Sequence, residues 1–414
     1  MKILLAHNFY QTGSPSGEDI VFRNEKLLLE HAGHEVIAFE KHSDTISGIV
    51  AKTRAALDTH WSSDSYRELR QLIGRRRPDV AHFHNTFPLI SPSAYRACHD
   101  EGVPTVQTLH NYRLICPGAL LMRDGRPCED CVGGSMLPAI QYGCYRQSRT
   151  ATAIVVSMLA VHRARKTYAN DVDRYIALTQ LAKERLVRGG LPESRIAVRP
   201  NGLTQNPSVG NGAGGYALYV GRLSAEKGVR TLIEAWRDID FPLRIVGDGA
   251  LRPQLETQSR DMRVPATFLG FQPRSEVIEL MRGAAFLVIP SEWYEGFPVT
   301  LLEAFATGTP LVVSAIGALD ELVTSEQHGL KFTAGDAASL RASAVRLLAD
   351  EPLRVTMRHA NRRLFEELYS REPSLASLLS IYEEVILARG NSPRPSAAVA
   401  GGARAAATTG LQRC

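Results

Sequence analysis

The feature that most constrains the fold is an alternation of short apolar runs with longer helical patterns, which occurs twice along the chain. In the first half, the runs that we expect to be strands lie at residues 2–7, 35–39, 79–84, 105–109 and 174–178. In the second half they lie at residues 217–220, 243–246, 267–269, 285–290 and 311–314. Strands separated by helices are typical of a parallel sheet with helices on both faces. The sequence therefore predicts an α/β protein with two doubly wound domains.

A polar segment separates the two halves. The stretch QNPSVGNGAGG has almost no apolar content and many residues that resist regular structure. We therefore predict an N-terminal domain at residues 1–205, a linker at 206–214 and a C-terminal domain at 215–370. A helical pattern follows at 371–389. Residues 390–414 are rich in Ala, Gly, Pro and Ser without a period, and we predict a disordered tail there.

The composition narrows the class of protein. A hydrophobic content of 44% with 22% charged residues is that of a packed globular protein. The net charge of +5 is small for 414 residues and does not indicate a nucleic-acid partner. The first residues, MKILLAHNF, predict a strand rather than a signal peptide, and no apolar stretch approaches the roughly 20 residues that span a bilayer. We therefore expect a cytoplasmic protein.

The first motif that suggests chemistry is a basic loop in the second half. The segment LYVGRLSAEKGVRTLIEAW begins as a strand, passes through Gly221 and enters a helix near Lys227. Backbone amides at such a loop can bind an anion, and Arg222 and Lys227 add a planar fork and a point charge suited to a pyrophosphate. The alternative is a pair of solvated surface charges beside a turn.

A second motif shifts this balance toward ligand binding. In SEWYEGFPVTLLEAFATGTPLVV, Glu295 lies in a loop after a predicted strand, and Glu303 lies on a helix predicted at residues 299–306. Carboxylates accept hydrogen bonds from vicinal hydroxyl groups, so the two could hold a hexose and a ribose while the amides between them face phosphate. The alternatives are a solvated loop residue and a helix-surface charge, although Glu303 lies between Leu302 and Ala304 in a largely apolar helix.

With these motifs the chain resembles glycosyltransferase family 4. The resemblance rests on GRLSAEKG, on EGFPVTLLEA with its two glutamates, on RPNG at residues 199–202, on VGDG at 246–249 and on Gly-Thr-Pro at 308–310. It extends to about residue 388 and is more specific in the second half. It implies the GT-B fold, in which two Rossmann-like domains face a cleft and a C-terminal helix crosses back to the first domain.

The resemblance also implies an activity. That activity is retaining transfer of a hexose or related sugar from a nucleotide diphosphate sugar to a glycan or lipid-linked glycan, in cell-surface polysaccharide assembly. No metal cofactor is implied for catalysis, so cations of the protein would neutralise the leaving diphosphate. The sequence DVD at residues 171–173 precedes a predicted strand, away from the strand ends at which such sheets bind ligands.

Site residues follow from matching the family's motifs to this sequence. Arg222 and Lys227 match the basic pair on the diphosphate, and Glu295 matches the glutamate near the donor sugar. His110, at the end of the predicted strand TVQTLH, matches a histidine that lines the reacting centre. The resemblance thus gives catalytic roles to these four residues. It gives substrate-binding roles to Gly17, Asn201, Gly221, Gly247, Gly249, Gly296, Phe297, Pro298, Val299, Thr300, Leu301 and, near the ribose, Glu303.

Two positions in the first half carry alternatives. His110 lies where strands of such a sheet end and ligands bind, which supports an active-site role, but a capping or core histidine is the alternative. Gly17 matches a glycine loop near the phosphate and the acceptor, yet Ser16 stands where many relatives have a second glycine. His82 and His84 flank Phe83 and point to one face of a strand. We expect structural or acceptor-lining roles for them, since no further metal ligand is evident nearby.

Four of the six cysteines lie in one long loop, residues 111–150. Cys128 and Cys131 form a CxxC knuckle, and Cys116 and Cys144 flank it almost symmetrically. Four thiolates could hold a structural zinc ion that stiffens the loop. The alternatives are free buried cysteines or a redox pair at the CxxC. In a cytoplasmic protein the set does not indicate a disulfide framework.

The sequence also bears on a membrane partner and on other classes of protein. The apolar run at residues 151–161 with the basic residues after it, together with Arg75, Arg76 and Arg77, suggests contact with an anionic membrane surface, and a core helix is the alternative. The segment after the first strand, QTGSPSGED, lacks the GxGxxG turn of dinucleotide oxidoreductases. A sugar-nucleotide epimerase and a non-catalytic sugar-nucleotide-binding protein are the rival functions.

Overall fold

The computed structural model describes residues 1–10 and 16–390. It contains two six-stranded parallel sheets, each with a buried apolar cluster on either face. This architecture confirms the predicted α/β fold class with two doubly wound domains. The predicted tail lies outside the described residues, except that residue 390 ends the last helix.

The first sheet has the strand order β2-β1-β3-β4-β7-β8, and a separate small hairpin pairs β5 with β6. The strands are β1 Lys2–Phe9, β2 Glu35–His42, β3 Val80–Phe83, β4 Thr105–Leu109, β5 Met122–Arg123, β6 Arg126–Pro127, β7 Arg174–Ala177 and β8 Ile196–Val198. The helices are α1 Gly17–His31, α2 Gly48–Asp58, α3 Ser63–Arg76, α4 Ser93–Asp100, α5 Leu137–Tyr142, α6 Arg149–Ala164, α7 Thr167–Asn170 and α8 Gln180–Arg188.

The second sheet has the strand order β11-β10-β9-β12-β13-β14. Its strands are β9 Ala217–Val220, β10 Leu243–Val246, β11 Ala266–Gly270, β12 Phe286–Ile289, β13 Leu311–Ser314 and β14 Gly329–Phe332. The helices are α9 Val229–Trp236, α10 Arg252–Asp261, α11 Arg274–Gly283, α12 Val299–Thr307, α13 Gly317–Leu322, α14 Ala337–Ala349, α15 Glu351–Leu364 and α16 Arg371–Gly390.

The central strands follow from continuous apolar runs. FLVI in β12 and LVVS in β13 are buried along their whole length, as expected for parallel strands covered on both faces. Two edge strands, β8 and β14, were not predicted from the sequence. β8 has only three residues, and β14 reads GLKF, so neither contains a long apolar run.

Each sheet has one point at which the strand order reverses direction. It lies between β1 and β3 in the first sheet and between β9 and β12 in the second. Ligands of doubly wound sheets bind outside the carboxyl ends of the strands at this point. The loops after β1, β3, β9 and β12 are therefore the segments in which a site is expected.

The chain crosses back to the first domain at its C-terminal end. Helix α15 continues into one turn of π-helix at Phe365–Tyr369, and the backbone is extended at Ser370 before α16 begins. Leu378 and Tyr382 of α16 pack in one cluster with Ile3 and Leu5 of β1. The crossing helix thus completes the core of the first domain, as the GT-B fold requires.

Two segments singled out by composition have ordinary structural places. The linker hydrogen-bonds to the second domain, since Gly210 N donates to Thr307 O at 2.9 Å and Gly214 N to Gly283 O at 2.8 Å. The apolar run at residues 151–161 lies in α6, which buries one face in the first domain. Within the described ranges 1–10 and 16–390, no helix is both long and apolar enough to cross a bilayer.

Candidate active site

Two loops meet at the switch point of the second sheet. The loop after β9 carries Arg222 and Lys227, and the loop after β12 occupies residues 290–298. A Cβ atom on Gly228 would lie 1.8 Å from the carbonyl oxygen of Pro290, and the φ angle of Gly228 is +65°. Only glycine meets both conditions without strain. This close packing brings the basic motif and the acidic motif of the sequence together.

Lys227 and Glu295 form an ion pair where these loops meet. Lys227 Nζ donates to Glu295 Oε1 at 2.6 Å, and Ser291 Oγ donates to the same oxygen at 2.6 Å. The side chains of Lys227 and Glu295 are 20% and 7% exposed, so the pair is largely withdrawn from solvent. An ammonium group has three donors, so the lysine can hold Glu295 and still donate to an anion.

Glu303 lies on α12, about one helix turn after the first residue of that helix, Val299. Its Oε1 is 3.2 Å from Arg274 Nη2, at the start of α11. Burial raises the pKa of Glu303 to about 7, and the charge of Arg274 opposes part of that rise. Arg274 was not predicted as a site residue, because PRSEVIELM has the pattern of an ordinary helix start with a charge in its first turn.

Arg222 is exposed and interacts electrostatically with Glu18 of the first domain. Burial raises the pKa of the Glu18 carboxyl to about 7, and the cations of Arg113 and Arg222 oppose that rise. Asn111 Nδ2 donates to Glu18 Oε2 at 3.4 Å. The sequence did not lead us to predict Glu18 as a site residue. Its position directly after Gly17, at the start of α1, is the signal that could have indicated such a role.

The predicted binding glycines beside β9 and β10 have a packing role. Gly247 has a φ angle of +128°, and a Cβ atom there would lie 2.0 Å from the carbonyl oxygen of Gly221. A Cβ atom on Gly249 would lie 2.4 Å from the carbonyl oxygen of Leu223. These positions need glycine so that the loops after the two strands can touch.

Helix α12 begins at the cleft with Pro298 as its cap and with Val299 and Thr300 partly exposed. The first amides of a helix have no partner inside the helix and are available to an anion. The side chains of Phe297 and Leu301 lie in the hydrophobic core. For these two predicted binding residues, only the backbone is therefore available to a ligand.

Two glycines mark where the domains approach each other. A Cβ atom on Gly17 would lie 3.8 Å from the side chain of Val299, so the N-termini of α1 and α12 face each other. A Cβ atom on Gly296 would lie 2.9 Å from the carbonyl oxygen of His110. The structure thus brings predicted residues of both domains to one cleft, with two positive helix ends beside it.

The RPNG segment lies at the junction of the domains. Asn201 is buried, and its Nδ2 lies 3.5 Å from Phe297 O. Arg199 Nη1 donates to Glu25 Oε2 at 2.9 Å, and its Nη2 donates to Ser374 Oγ at 3.1 Å. Asn201 Oδ1 has no hydrogen-bond partner within the described part of the chain. The segment therefore ties α1 to the crossing helix and to the loop after β12.

His110 is the partly exposed member of a histidine cluster in the first domain, and His82 and His84 of that cluster are buried. His110 Nε2 lies 2.9 Å from His84 Nδ1, with the two rings stacked. His84 Nε2 lies 3.1 Å from Glu25 Oε1, and His82 Nδ1 lies 3.0 Å from the same oxygen. Burial lowers the pKa of His84 and holds the pKa of His110 well below the usual imidazole range.

The expectation that His82 and His84 lack a further metal ligand is wrong. Glu25 supplies one, and the three ligand atoms lie within 4.8 Å of one another. However, the second oxygen of Glu25 accepts from Arg199 at 2.9 Å, so a permanent cation already occupies the carboxylate. The ring nitrogens of His82 also bond the hydroxyl groups of Tyr382 and Thr108. These bonds favour a structural role, which is one of the two roles expected from the sequence.

The four loop cysteines approach one another without closing into a metal site. Burial, with smaller contributions from Cys116, Cys144 and Cys128, raises the pKa of the Cys131 thiol to about 11. Within the described residues, no three of these sulfur atoms lie within 4.8 Å of one another. In a tetrahedral zinc site, Zn–S bonds of about 2.3 Å would place the sulfurs roughly 3.8 Å apart. Zinc binding stays a prediction.

Comparison with known families fits this geometry. Residues 206–364 match the family model described as Glycosyl transferases group 1, and residues 27–205 match the one described as Glycosyltransferase Family 4. The chain belongs to the group 1 glycosyltransferases. The family resemblance read from the sequence is thereby confirmed, and so is the GT-B fold that it implied.

Relatives in this family share part or most of the chain. A glycogen synthase of Mycobacterium tuberculosis is 31% identical over 286 residues, which are 67% of this chain and 61% of that protein. A 2-deoxystreptamine glucosyltransferase of Streptomyces kanamyceticus is 26% identical over 82% of this chain and 85% of that protein. The chain spans about six tenths of the length of the curated relatives it matches first.

Solved structures of the same fold cover almost the whole chain. HepE of Anabaena in complex with UDP has a TM-score of 0.65 at 17% identity, covering 93% of this chain and all of that one. At this identity the likeness shows the fold alone.

Proposed function

We propose that this protein is a glycosyltransferase that takes a sugar from a nucleotide diphosphate sugar. One observation carries the proposal. Two ion pairs flank the start of α12 at the switch point of the second sheet. They are Lys227 with Glu295 and Arg274 with Glu303. This is where a doubly wound sheet binds a nucleotide, and HepE has been crystallised with UDP and glucose.

The residues suggest distinct roles along one extended ligand. Arg222 and Lys227 bind the diphosphate and neutralise its charge as it leaves, which makes a catalytic metal unnecessary. The α12 amides add donors to the same group. Glu295 accepts from hydroxyl groups of a hexose, and Glu303 accepts from those of a ribose.

The reaction we propose retains the configuration at the sugar carbon. Glu295 is engaged by Lys227 and Ser291, which suits a hydrogen-bonding role and not that of a covalent nucleophile. The leaving phosphate oxygen would then take the acceptor proton on the same face of the sugar. Rate enhancement comes mainly from positioning and from charge stabilisation.

The acceptor binds on the first-domain side, near Gly17 and His110. We propose that the acceptor is a glycan or lipid-linked glycan, in cell-surface polysaccharide assembly.

Contact with a membrane would bring a lipid-linked acceptor to the cleft, and helix α2 is the surface that suits membrane contact best. Ile49 and Val50 are 85% and 83% exposed beside Lys52, whereas α6 buries one of its faces. Exposed apolar side chains beside a cation suit an anionic membrane.

The test is release of free nucleoside diphosphate from a panel of nucleotide sugars, with and without extracted lipid-linked glycans. A transferase releases the diphosphate in an acceptor-dependent way and forms a glycosylated product. An epimerase would change the sugar nucleotide without an acceptor and release none. A non-catalytic binding protein would bind the nucleotide and leave every substrate intact, and either of these outcomes would overturn the proposal.

A further inference from the structure

The histidine at the cleft is the end of a buried hydrogen-bond chain that starts on α1. Glu25 Oε1 is 3.1 Å from His84 Nε2, and His84 Nδ1 is 2.9 Å from His110 Nε2. The three residues come from α1, from the loop after β3 and from the loop after β4. Glu25 and His84 are buried, whereas His110 is partly exposed. The chain therefore leads from the core of the domain to the cleft.

The direction of each hydrogen bond follows from the chemistry of its first member. An ionised carboxylate only accepts, so the proton of His84 is on Nε2. A neutral imidazole then has a lone pair on Nδ1, and His110 must donate to it from Nε2. A neutral His110 with its proton on Nε2 leaves Nδ1 as an acceptor. Among the described residues, Nδ1 of His110 has no hydrogen-bond partner in the structure.

Neighbouring groups keep Glu25 ionised, and burial keeps His84 and His110 neutral. Although burial opposes it, the guanidinium of Arg199 and the imidazoles of His82 and His84 hold the pKa of Glu25 well below its usual range. Burial lowers the pKa of both His84 and His110. The hydrogen bonds of the chain therefore have one consistent direction near neutral pH.

We propose that Glu25 is a positioning residue that sets the tautomer of His110 through His84, so that His110 presents Nδ1 as an acceptor to a hydroxyl group of the bound sugar. This inference rests on the proposed transferase function. We place this hydroxyl group near Glu295, because the backbone carbonyl oxygen of His110 approaches Gly296, the residue next to Glu295 on the loop after β12. The opposite tautomer would present an N–H group, which suits a phosphate oxygen instead.

A substitution at Glu25 should reverse the direction of the hydrogen bonds from Glu25 through His84 to His110. In Glu25→Gln the amide oxygen would accept from Arg199, and its NH₂ group would donate to His84 Nε2. His84 would then carry its proton on Nδ1 and donate to His110 Nε2, which would move the His110 proton to Nδ1. Tyr382→Phe is the matched control, because the Tyr382 hydroxyl group bonds His82 in the same cluster and lies outside this chain.

The first measurement is the tautomer of His110 in the ¹⁵N-histidine-labelled full chain, by long-range ¹H–¹⁵N correlation, with the signal assigned from His110→Gln. We expect a protonated Nε2 in the native protein and in Tyr382→Phe, and a protonated Nδ1 in Glu25→Gln. A protonated Nδ1 in the native protein would overturn the inference, and this holds even if Glu25→Gln fails to fold.

The second measurement is the rate of sugar transfer. At metal sites, loss of the partner that fixes the tautomer of a ligating histidine costs roughly ten- to a hundredfold in activity, and His110 depends on Glu25 in a comparable way. We expect a fall of that size in kcat for Glu25→Gln, with KM for the donor changed less than threefold, and native kinetics for Tyr382→Phe. Native kcat in folded Glu25→Gln would overturn the inference while leaving the transferase function intact. Failure of the native protein to bind any sugar nucleotide would overturn the function instead, and the tautomer result would stand.

Discussion

The two sides of the cleft use different polar groups. The donor side, in the second domain, has charged pairs that reach the cleft: Lys227 with Glu295, and Arg274 with Glu303. In the first domain, Glu25 and its partner Arg199 are buried behind the imidazoles of His84 and His110. The donor side can thus bind an anion, and its carboxylates can accept hydrogen bonds from hydroxyl groups. The first domain is arranged to orient a neutral ring.

This difference predicts separable effects of substitution. Loss of a donor-side charge should weaken nucleotide binding or the departure of the diphosphate. A change in the first domain should alter the orientation of the reacting groups, or acceptor and membrane contacts, while nucleotide affinity stays near native.

Lys227→Ala should have the largest effect. It removes a donor to the leaving diphosphate and leaves Glu295 without its cation, so sugar transfer should slow by roughly a hundredfold or more. Steady-state release of nucleoside diphosphate measures this rate. Lys183→Ala is the control, because Lys183 pairs with the exposed Glu193 at 3.7 Å on the first domain. A native rate in Lys227→Ala would remove the charge-based account of the donor side.

Glu303→Gln should weaken nucleoside diphosphate binding about tenfold at pH 8. Because the Glu303 pKa is about 7, the native carboxylate becomes ionised and accepts from the ribose as pH rises from 6 to 8. The affinity of the native protein for the nucleoside diphosphate should therefore rise over that window. Ionisation of the diphosphate causes a separate rise in affinity, which Glu303→Gln should also show. Isothermal titration calorimetry at several pH values measures the difference. Parallel pH profiles for the two proteins would contradict a role for Glu303 at the ribose.

The same pKa predicts a change in stability. In the folded protein the pKa of Glu303 is about 7, above the ordinary value of 4.5. Proton binding by Glu303 therefore stabilises the folded state fully below about pH 4.5, and this contribution is lost as pH rises to about 7. The free energy of unfolding of the native protein should fall relative to Glu303→Gln by on the order of 3 kcal/mol across that window. Urea unfolding at each pH tests it. Glu256→Gln, on the surface of α10, is the control.

Replacing Cys128 and Cys131 by serine should remove bound zinc and lower the thermal midpoint, with nucleotide affinity unchanged. The physical reason is that two of four thiolate ligands are lost from a loop that belongs to the first domain. Metal analysis of purified protein and calorimetry measure the two effects. Cys98→Ser is the control, since Cys98 is buried in α4 outside the loop. A native protein without stoichiometric zinc would refute zinc binding.

The smallest effect should come from Ile49→Asp with Val50→Asp. The exposed start of α2 would lose its apolar contact, so co-sedimentation with vesicles of anionic phospholipid at low salt should fall severalfold. Activity on a soluble acceptor should stay native. Val355→Asp, at an exposed position of α15 in the second domain, is the control. If the native protein ignores such vesicles, membrane contact is wrong.

How far the sequence predicts the site differs between the domains. On the donor side, Arg222, Lys227, Glu295 and Glu303 lie in two short motifs that follow neighbouring strands, so spacing along the chain already indicates proximity. Arg274 was missed because its partner, Glu303, is 29 positions away and no local pattern marks the pair. The edge strands β8 and β14 were missed because they are short and lack apolar runs.

In the first domain, the informative contacts join distant parts of the chain. Glu25 meets His84 across 59 positions and Arg199 across 174, and its helix gives no sign of either partner. Glu18 reaches the cleft through the packing of α1 against the second domain. Contacts of this kind depend on the closed tertiary structure, so a sequence pattern could propose His110 but could not identify what holds it.

Isothermal titration calorimetry of the native chain against UDP, GDP, ADP and dTDP measures whether the second domain binds a nucleoside diphosphate. We expect at least one of them to bind at a single site, with binding weakened by Lys227→Ala and Glu303→Gln and kept by Glu25→Gln. Absence of binding for every nucleotide at millimolar concentration, or binding that none of the donor-side substitutions changes, would contradict it.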